Sequence, residues 1–296
     1  MTTPESLRAT INSTEDLYSV VKTMKALAAV SIRQYEQAVE SLAEYNRTVE
    51  MGWQILLRSR YFAGEPISSN FKETLATSPT KLGAIIFGSD QGLCGQFNEQ
   101  IAKYAIKNLQ NTDFSSSAIA VVGSRLLPSL KTTYPIAAQF TLPNSAVAIG
   151  ETVRDILLML DNWQQERQIS KILLFYNYPT SASSYSSSYQ QLLPLDTHWL
   201  LDLEQKPWST SVVPTFTMDW QQLLPELISQ YLFISLYRAL AASLASENAS
   251  RLAAMQSAQK NIEERLDELN AQYRRQRQSA IDSELLDVVT GFEALT

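Results

Sequence analysis

Apolar residues recur at helical spacing along both ends of this chain. Val21, Met24, Ala28, Ser31, Tyr35, Ala38, Leu42, Tyr45, Val49, Gly52 and Leu56 stand alternately three and four positions apart. That is a heptad seam of about five repeats, with Ser31 and Gly52 as weak members. Lys22, Arg33, Glu36, Glu40, Glu44 and Arg47 fall on the other faces, as on a solvated helix. The stretch NSTEDL offers capping residues and leaves the helix start open between Leu7 and Ser13. The same spacing runs from Leu224 through Leu227, Tyr231, Ile234, Arg238, Ala241, Ala245, Asn248, Leu252, Met255, Gln259, Ile262, Leu266, Leu269, Tyr273 and Gln276 to Ala280. Its polar members, Arg238, Asn248, Gln259 and Gln276, weaken a seam but fix its register. Pro225 suits a first helical turn, and about 60 residues predict a helix of roughly 90 Å. No proline lies between Pro4 and Pro66 or after Pro225, and an interior proline would cost about 3 kcal/mol. Two seams on one chain are buried most simply against each other, which predicts an antiparallel coiled coil of the chain ends.

The middle of the chain has a different pattern. Short apolar runs at Leu82–Gly88, Ala118–Gly123, Ile136–Phe140 and Lys171–Tyr176 read as strands, with Gln191–Leu193 and His198–Asp202 as a weaker set. Asn98–Leu109, Arg125–Leu130 and Ile149–Glu166 read as helices between them. The alternation predicts a Rossmann-like α/β domain with a mainly parallel sheet. The chain then divides into an N-terminal coiled-coil helix (1–65), a central α/β domain (75–215) and a C-terminal coiled-coil helix (220–296). The serine-rich stretch PTSASSYSSSYQQ, Pro179–Gln191, reads as a mobile loop or hairpin tip.

Composition narrows the chemistry. The chain has 296 residues, 45% hydrophobic and 18% charged, with a net charge of -6, so nothing favours nucleic acid as a partner. One cysteine, Cys94, excludes an internal disulfide, and one histidine, His198, excludes a multi-histidine metal site. No uninterrupted apolar run reaches the roughly 20 residues of a membrane span, so membrane association is expected only through partners. The stretch GSDQGLCGQFN follows a strand and precedes a helix, as phosphate sites do. Its glycines, Gly88, Gly92 and Gly95, match neither G-x-G-x-x-G nor a Walker loop, because Gln96 and Phe97 follow where Lys and Ser or Thr are needed. The pattern supports a structural turn whose glycines supply positive φ angles. Asp90 reads as a residue capping that turn through its own backbone, Cys94 as a buried structural thiol, and His198 as a surface or packing residue. In YRRQRQ, Arg274 and Arg277 lie one helical turn apart, as do Arg274 and Gln278, and offer directional donors to an acidic partner loop. The apolar stretch LLDVVTGFEALT that closes the chain calls for a covering sleeve. Without further information, an α/β enzyme or a scaffold that dimerises through helical arms is the alternative function.

Three segments resemble one family. GSDQGLCGQFN, VVKTMKALAAVSIR (Val20–Arg33) and the long stretch Ala245–Leu295 are similar, in the same order, to the signatures of the γ subunit of F-type ATP synthases. The resemblance implies a non-catalytic central rotor shaft without a cofactor. Such a shaft turns inside a ring of three α and three β subunits and stands on the ε subunit and the membrane c-ring. It further implies a peripheral location on the cytoplasmic face of a bacterial inner membrane, or on a thylakoid. The family's contacts to β loops map onto Arg251, Arg277 and Gln278, and its N-terminal helix motif onto Met24 and Lys25. Gln91, Gln96, Val30 and Ser31 depart from the usual residues, and KALAAVSIRQYEQAV looks like the alternate N-ATPase branch, in which hydrolysis and ion pumping dominate. The cysteine-bearing insertion of the chloroplast type is missing, so thiol control is not expected.

Overall fold

The computed structural model describes residues 4–62, 81–110, 117–181, 184–208 and 215–293. In chain order the elements are α1 (Pro4–Ser41), α2 (Ala43–Phe62), β1 (Lys81–Phe87), α3 (Phe97–Leu109), β2 (Ala118–Val122), α4 (Leu127–Leu130), β3 (Ile136–Phe140), α5 (Ile149–Arg167), β4 (Ile169–Ser181), β5 (Ser184–Leu193), α6 (Thr197–Gln205) and α7 (Trp220–Glu293). They form two compact units, Val30–Ser250 and Met1–Ala29 with Arg251–Thr296.

The larger unit is built on a five-stranded sheet in the order β3-β2-β1-β4-β5, as a mainly parallel α/β domain requires. The first four strands are parallel, and β5 returns antiparallel to β4. Crossovers between parallel strands are right-handed, so the direction of travel decides which face a helix covers. From β1 to β2 to β3 the chain steps one way, and α3 and α4 cover one face. From β3 to β4 it passes back across β1, and α5 lands on the other. The strand side chains divide accordingly. Leu82, Ala84 and Ile86 pack with Ile101, Ala105 and Leu109 of α3. Ile85 and Phe87 face Val153, Ile156, Leu160 and Trp163, an i, i+3, i+4 stripe of α5. The second face also receives the long helices, through Trp53, Leu56 and Leu57 of α2 and Leu236, Leu240 and Leu244 of α7.

Among the described residues α7 is the one helix long and apolar enough, by composition, to cross a membrane. Its apolar stretch is a core element, since Leu236, Leu240, Ala241, Leu244, Ala245 and Ala249 are all buried in the protein. Near its start Arg60 of α2 stacks 4.2 Å above the Trp220 ring.

The smaller unit pairs the start of α1 with the second half of α7. Leu7 and Ile11 pack with Leu266, Leu269 and Tyr273. The Tyr18 hydroxyl donates to Glu263 (2.8 Å), and Lys25 Nζ donates to the Gln259 side-chain oxygen (2.9 Å). Rising numbers on α1 meet falling numbers on α7, so the pair is antiparallel. From Leu252 to Ala280 every seam position is buried or half-buried.

Several expectations need correction. The N-terminal helix begins at Pro4, ahead of both candidate starts, because Leu7, Ile11, Thr14 and Tyr18 extend the seam upstream. The helix is interrupted at Leu42, between α1 and α2, where the Leu42 amide turns back to the Val39 carbonyl (3.2 Å). There Val39, Leu42, Asn46 and Arg238 line a cleft of about 260 Å³. Helix α7 starts at Trp220, which places Pro225 inside it, beyond the first turn. His198–Asp202 is helical: the Asp196 carboxylate accepts the His198 amide (2.8 Å), and Leu200 and Leu203 bury one face of α6. Gln191–Leu193 closes β5 as a strand. The serine-rich stretch is paired with β4 from Tyr185 to Gln191, and Tyr185 and Tyr189 lie against the rings of Phe97 and Phe175. Its tip, residues 182–183, lies outside the described residues.

Candidate partner-binding surfaces and the strand-end turn

In open parallel sheets, ligands bind at the carboxyl ends of strands where the strand order reverses. Here that point lies between β1 and β4, and GSDQGLCGQFN begins there. The chain itself fills it. Phe97 is fully buried, and Asn177, also fully buried, donates to the Phe97 carbonyl (3.4 Å) and accepts from Ser187 (2.6 Å). The Ser89 amide donates to Asn98 Oδ1 (2.9 Å), and Asn98 Nδ2 donates back to Ser89 Oγ (2.7 Å). Asp90 differs from its expected role. Its Oδ1 accepts the Ser124 amide (2.7 Å) and its Oδ2 the Leu142 amide (2.6 Å), so it ties the ends of β1, β2 and β3 together instead of capping its own backbone. The amides that follow β2 and β3 are thus already paired with a carboxylate.

The glycines also act differently from the expectation. Only Gly95 of the three has a positive φ, +57°, while Leu93 carries another at 61°. Gly88 is needed for close approach: a β-carbon there would lie 2.3 Å from Leu126 Cγ. Cys94 is buried, with Ser89 Oγ and the Gln91 carbonyl nearby, as a structural thiol. His198 is exposed on α6. Among the described residues no group of three or more His, Cys, Asp or Glu side chains comes together to hold a metal. A cleft of about 570 Å³ is lined in part by Glu50, Tyr176, Tyr178, Gln190, Trp199 and Arg238, and so reaches the carboxyl end of β4. Burial pushes the Tyr176 and Tyr231 hydroxyls above their ordinary range, which keeps both neutral donors in this cleft.

The five residues singled out in sequence all lie on the two long helices. Met24 and Lys25 are half-buried on α1. Lys25 is engaged within the small unit, where Gln259 also donates to Tyr18 (3.2 Å) and Glu263 (3.0 Å). These hydrogen bonds, Gln259's first and Tyr18's second, hold the Glu263 carboxyl below its ordinary range. Arg251 is buried on α7, with 6% of its surface exposed. Arg277 and Gln278 are exposed, as are Arg274 and Arg275, while Tyr273, Gln276 and Ala280 turn inward. From residue 281 to 290 α7 is exposed, including Ile281, Leu285, Leu286, Val288 and Val289; residues 294–296 lie outside the described residues. Sequence reasoning missed a second apolar stripe on α1, Leu17, Val20, Leu27 and Val30, each more than half exposed. Its spacing of three, seven and three residues beside the seam was the signal for it.

Comparison with known proteins gives the family of the chain. A family model described as ATP synthase matches residues 3–295. An ATP synthase gamma chain of Pelagibacter ubique is 27% identical over 302 residues, covering all of both chains. One of Geobacter metallireducens is 25% identical over 306 residues, covering 100% of this chain and 99% of that one. Among solved structures, a chain of the Euglena gracilis mitochondrial ATP synthase (OSCP/F1/c-ring, rotational state 3) aligns with a TM-score of 0.65 at 17% identity, over 99% of this chain and 94% of that one.

Proposed function

This chain belongs to the ATP synthase family, and we propose that it is the central rotor shaft of a rotary F-type enzyme, carrying torque between a membrane c-ring and a catalytic ring of α and β subunits. In this proposal the chain itself is non-catalytic. It joins the membrane only through its partners, the c-ring and the ε subunit, on the cytoplasmic face of a bacterial membrane. The observation that carries the proposal is that one chain holds both a two-helix antiparallel coil, with exposed apolar side chains on α1 and α7 and exposed arginines at 274, 275 and 277, and an α/β sheet whose ligand crevice is filled by its own side chains. A shaft changes the state of surrounding sites only through contacts that differ between those states. Arg277 and Gln278, exposed one position apart on α7, are assigned to such contacts, with Met24 beside the bare stripe of α1. Lys25 and Arg251 are assigned to the same surface. Lys25 acts there through its bond to Gln259, and Arg251 requires a partner loop that reaches a largely buried side chain.

The test is an assembly of this chain with its α and β subunits, carrying Arg277→Glu together with Gln278→Ala. The two positions are exposed, so the isolated variant melts within about 0.5 kcal/mol of the parent. ATP hydrolysis and ion pumping by the assembly fall. Unchanged rates in both would overturn the site assignment. Stoichiometric, tight ATP binding by the isolated chain would overturn the rotor assignment itself and favour an enzyme.

A further inference from the structure

Two separate segments of the larger unit converge on one residue of α7. Ser250 Oγ donates to the Cys94 carbonyl (2.6 Å), and the Tyr185 hydroxyl at the start of β5 is the second polar neighbour of its side chain. Cys94 belongs to the strand-end turn and Tyr185 to the β4–β5 hairpin. The two segments are also joined to each other, because Phe97 and Tyr185 stack at 5.5 Å and Asn177 bonds both the Phe97 carbonyl and Ser187. Gly95, whose φ of +57° suits glycine, lies against Ser250: a β-carbon there would stand in van der Waals contact, 3.4 Å from Ser250 Oγ. The turn carries a strained display. Leu93 holds a φ of 61°, which is costly for a branched side chain, and 60% of its surface faces solvent. Such strain persists only where the surroundings over-determine it. Asp90 and Asn98 fix the turn from the sheet side, and Ser250 fixes it from the helix side. Apolar packing of α7 on the sheet resists separation but is non-directional, whereas a hydrogen bond sets one height and one rotation of the helix.

We propose that Ser250 is a positioning residue that keys the strand-end turn and the β4–β5 hairpin to α7, so that the exposed Gln91–Leu93 tip moves with the shaft. This rests on the rotor function proposed above. The test uses Ser250→Ala in the full chain and in the complete complex in vesicles, with Ser250→Thr as the conservative variant. One net hydrogen bond corresponds to about a fivefold change in an opening equilibrium. Amide exchange over residues 89–98 therefore accelerates about fivefold or more in Ser250→Ala, with exchange over residues 4–25 unchanged. Ions moved per ATP hydrolysed fall, and Ser250→Thr restores both readouts. Unchanged exchange at the turn, or an unchanged coupling ratio, would overturn the keying role. Should Ser250→Ala fail to assemble, Tyr185→Phe removes one arm of the key and is judged by the same two readouts. A parent chain that does not assemble with α and β subunits overturns the rotor function. A coupled parent with an indifferent Ser250→Ala overturns the key alone.

Discussion

Asp90 separates a structural from a catalytic turn. Its two carboxylate oxygens each accept one backbone amide, from Ser124 at 2.7 Å and Leu142 at 2.6 Å. Asp90→Ala leaves both amides without that partner. A charge-assisted bond of this length is stronger than a neutral one, but Asp90 is half-exposed and water reaches part of the site. At about 1–1.5 kcal/mol for each bond, Asp90→Ala costs about 2–3 kcal/mol. Asp90→Asn keeps one acceptor and turns an NH₂ group toward the other amide, so it costs about 1–2 kcal/mol. Urea unfolding followed by tryptophan fluorescence measures this, since Trp53 and Trp163 are both buried in the core of the same unit. A loss below about 0.5 kcal/mol in Asp90→Ala would show that water replaces the carboxylate and would refute the assignment. A catalytic acid behaves oppositely: Asp90→Asn would then abolish turnover while leaving stability almost intact. The expected result is loss of stability, with ATP turnover by the assembled complex following the folded fraction.

Two further outcomes are expected in the smaller unit. Glu263 has a folded pKa below its ordinary value of 4.5, so its bonds to Gln259 and Tyr18 stabilise the coil above that value and the contribution is lost as pH falls through the lowered one. Thermal melts of the parent therefore lose stability on acidification more than those of Glu263→Gln; parallel profiles would refute the role. Leu269, 2% exposed against Leu7 and Ile11, loses about 2–3 kcal/mol on change to Ala, seen by circular dichroism in denaturant and refuted by a midpoint unchanged from the parent.

The long helices were legible because the seam repeats many times, so weak members such as Ser31 and Gly52 are outvoted. The interruption at Leu42 was not: Arg238, which lines the cleft at the break, comes from far along the chain, and no local pattern marks it. Short runs were ambiguous for a different reason. His198–Asp202 carries too few residues to choose between periods, and the cap from Asp196 decides for helix. The serines of β5 have little strand propensity, but backbone pairing with β4 and the ring contacts of Tyr185 and Tyr189 outweigh it. The surfaces followed the same division. Arg277 and Gln278 were readable as outward positions from helical spacing alone. The bonds of Asp90 to amides 34 and 52 residues away are tertiary, and no local pattern announces them.

The strand-end turn shows why a fold built for ligand binding can serve as a structural foot. A phosphate at this crevice would need free amides and a positive local field. Asp90 takes the amides of the residues that follow β2 and β3, and its carboxylate adds a negative charge at the crevice. Two unit charges of like sign about 4 Å apart repel by about 4 kcal/mol near a protein surface, which by itself weakens binding by nearly three powers of ten. Phe97 and Asn177 occupy the depth of the crevice, and Ser250 brings α7 against its rim. Removing any one of these leaves the others, so no single substitution turns this turn into a nucleotide site. The glycine spacing that fails both phosphate motifs and the packing that closes the crevice are two views of one constraint. The turn is shaped to receive a helix of its own chain.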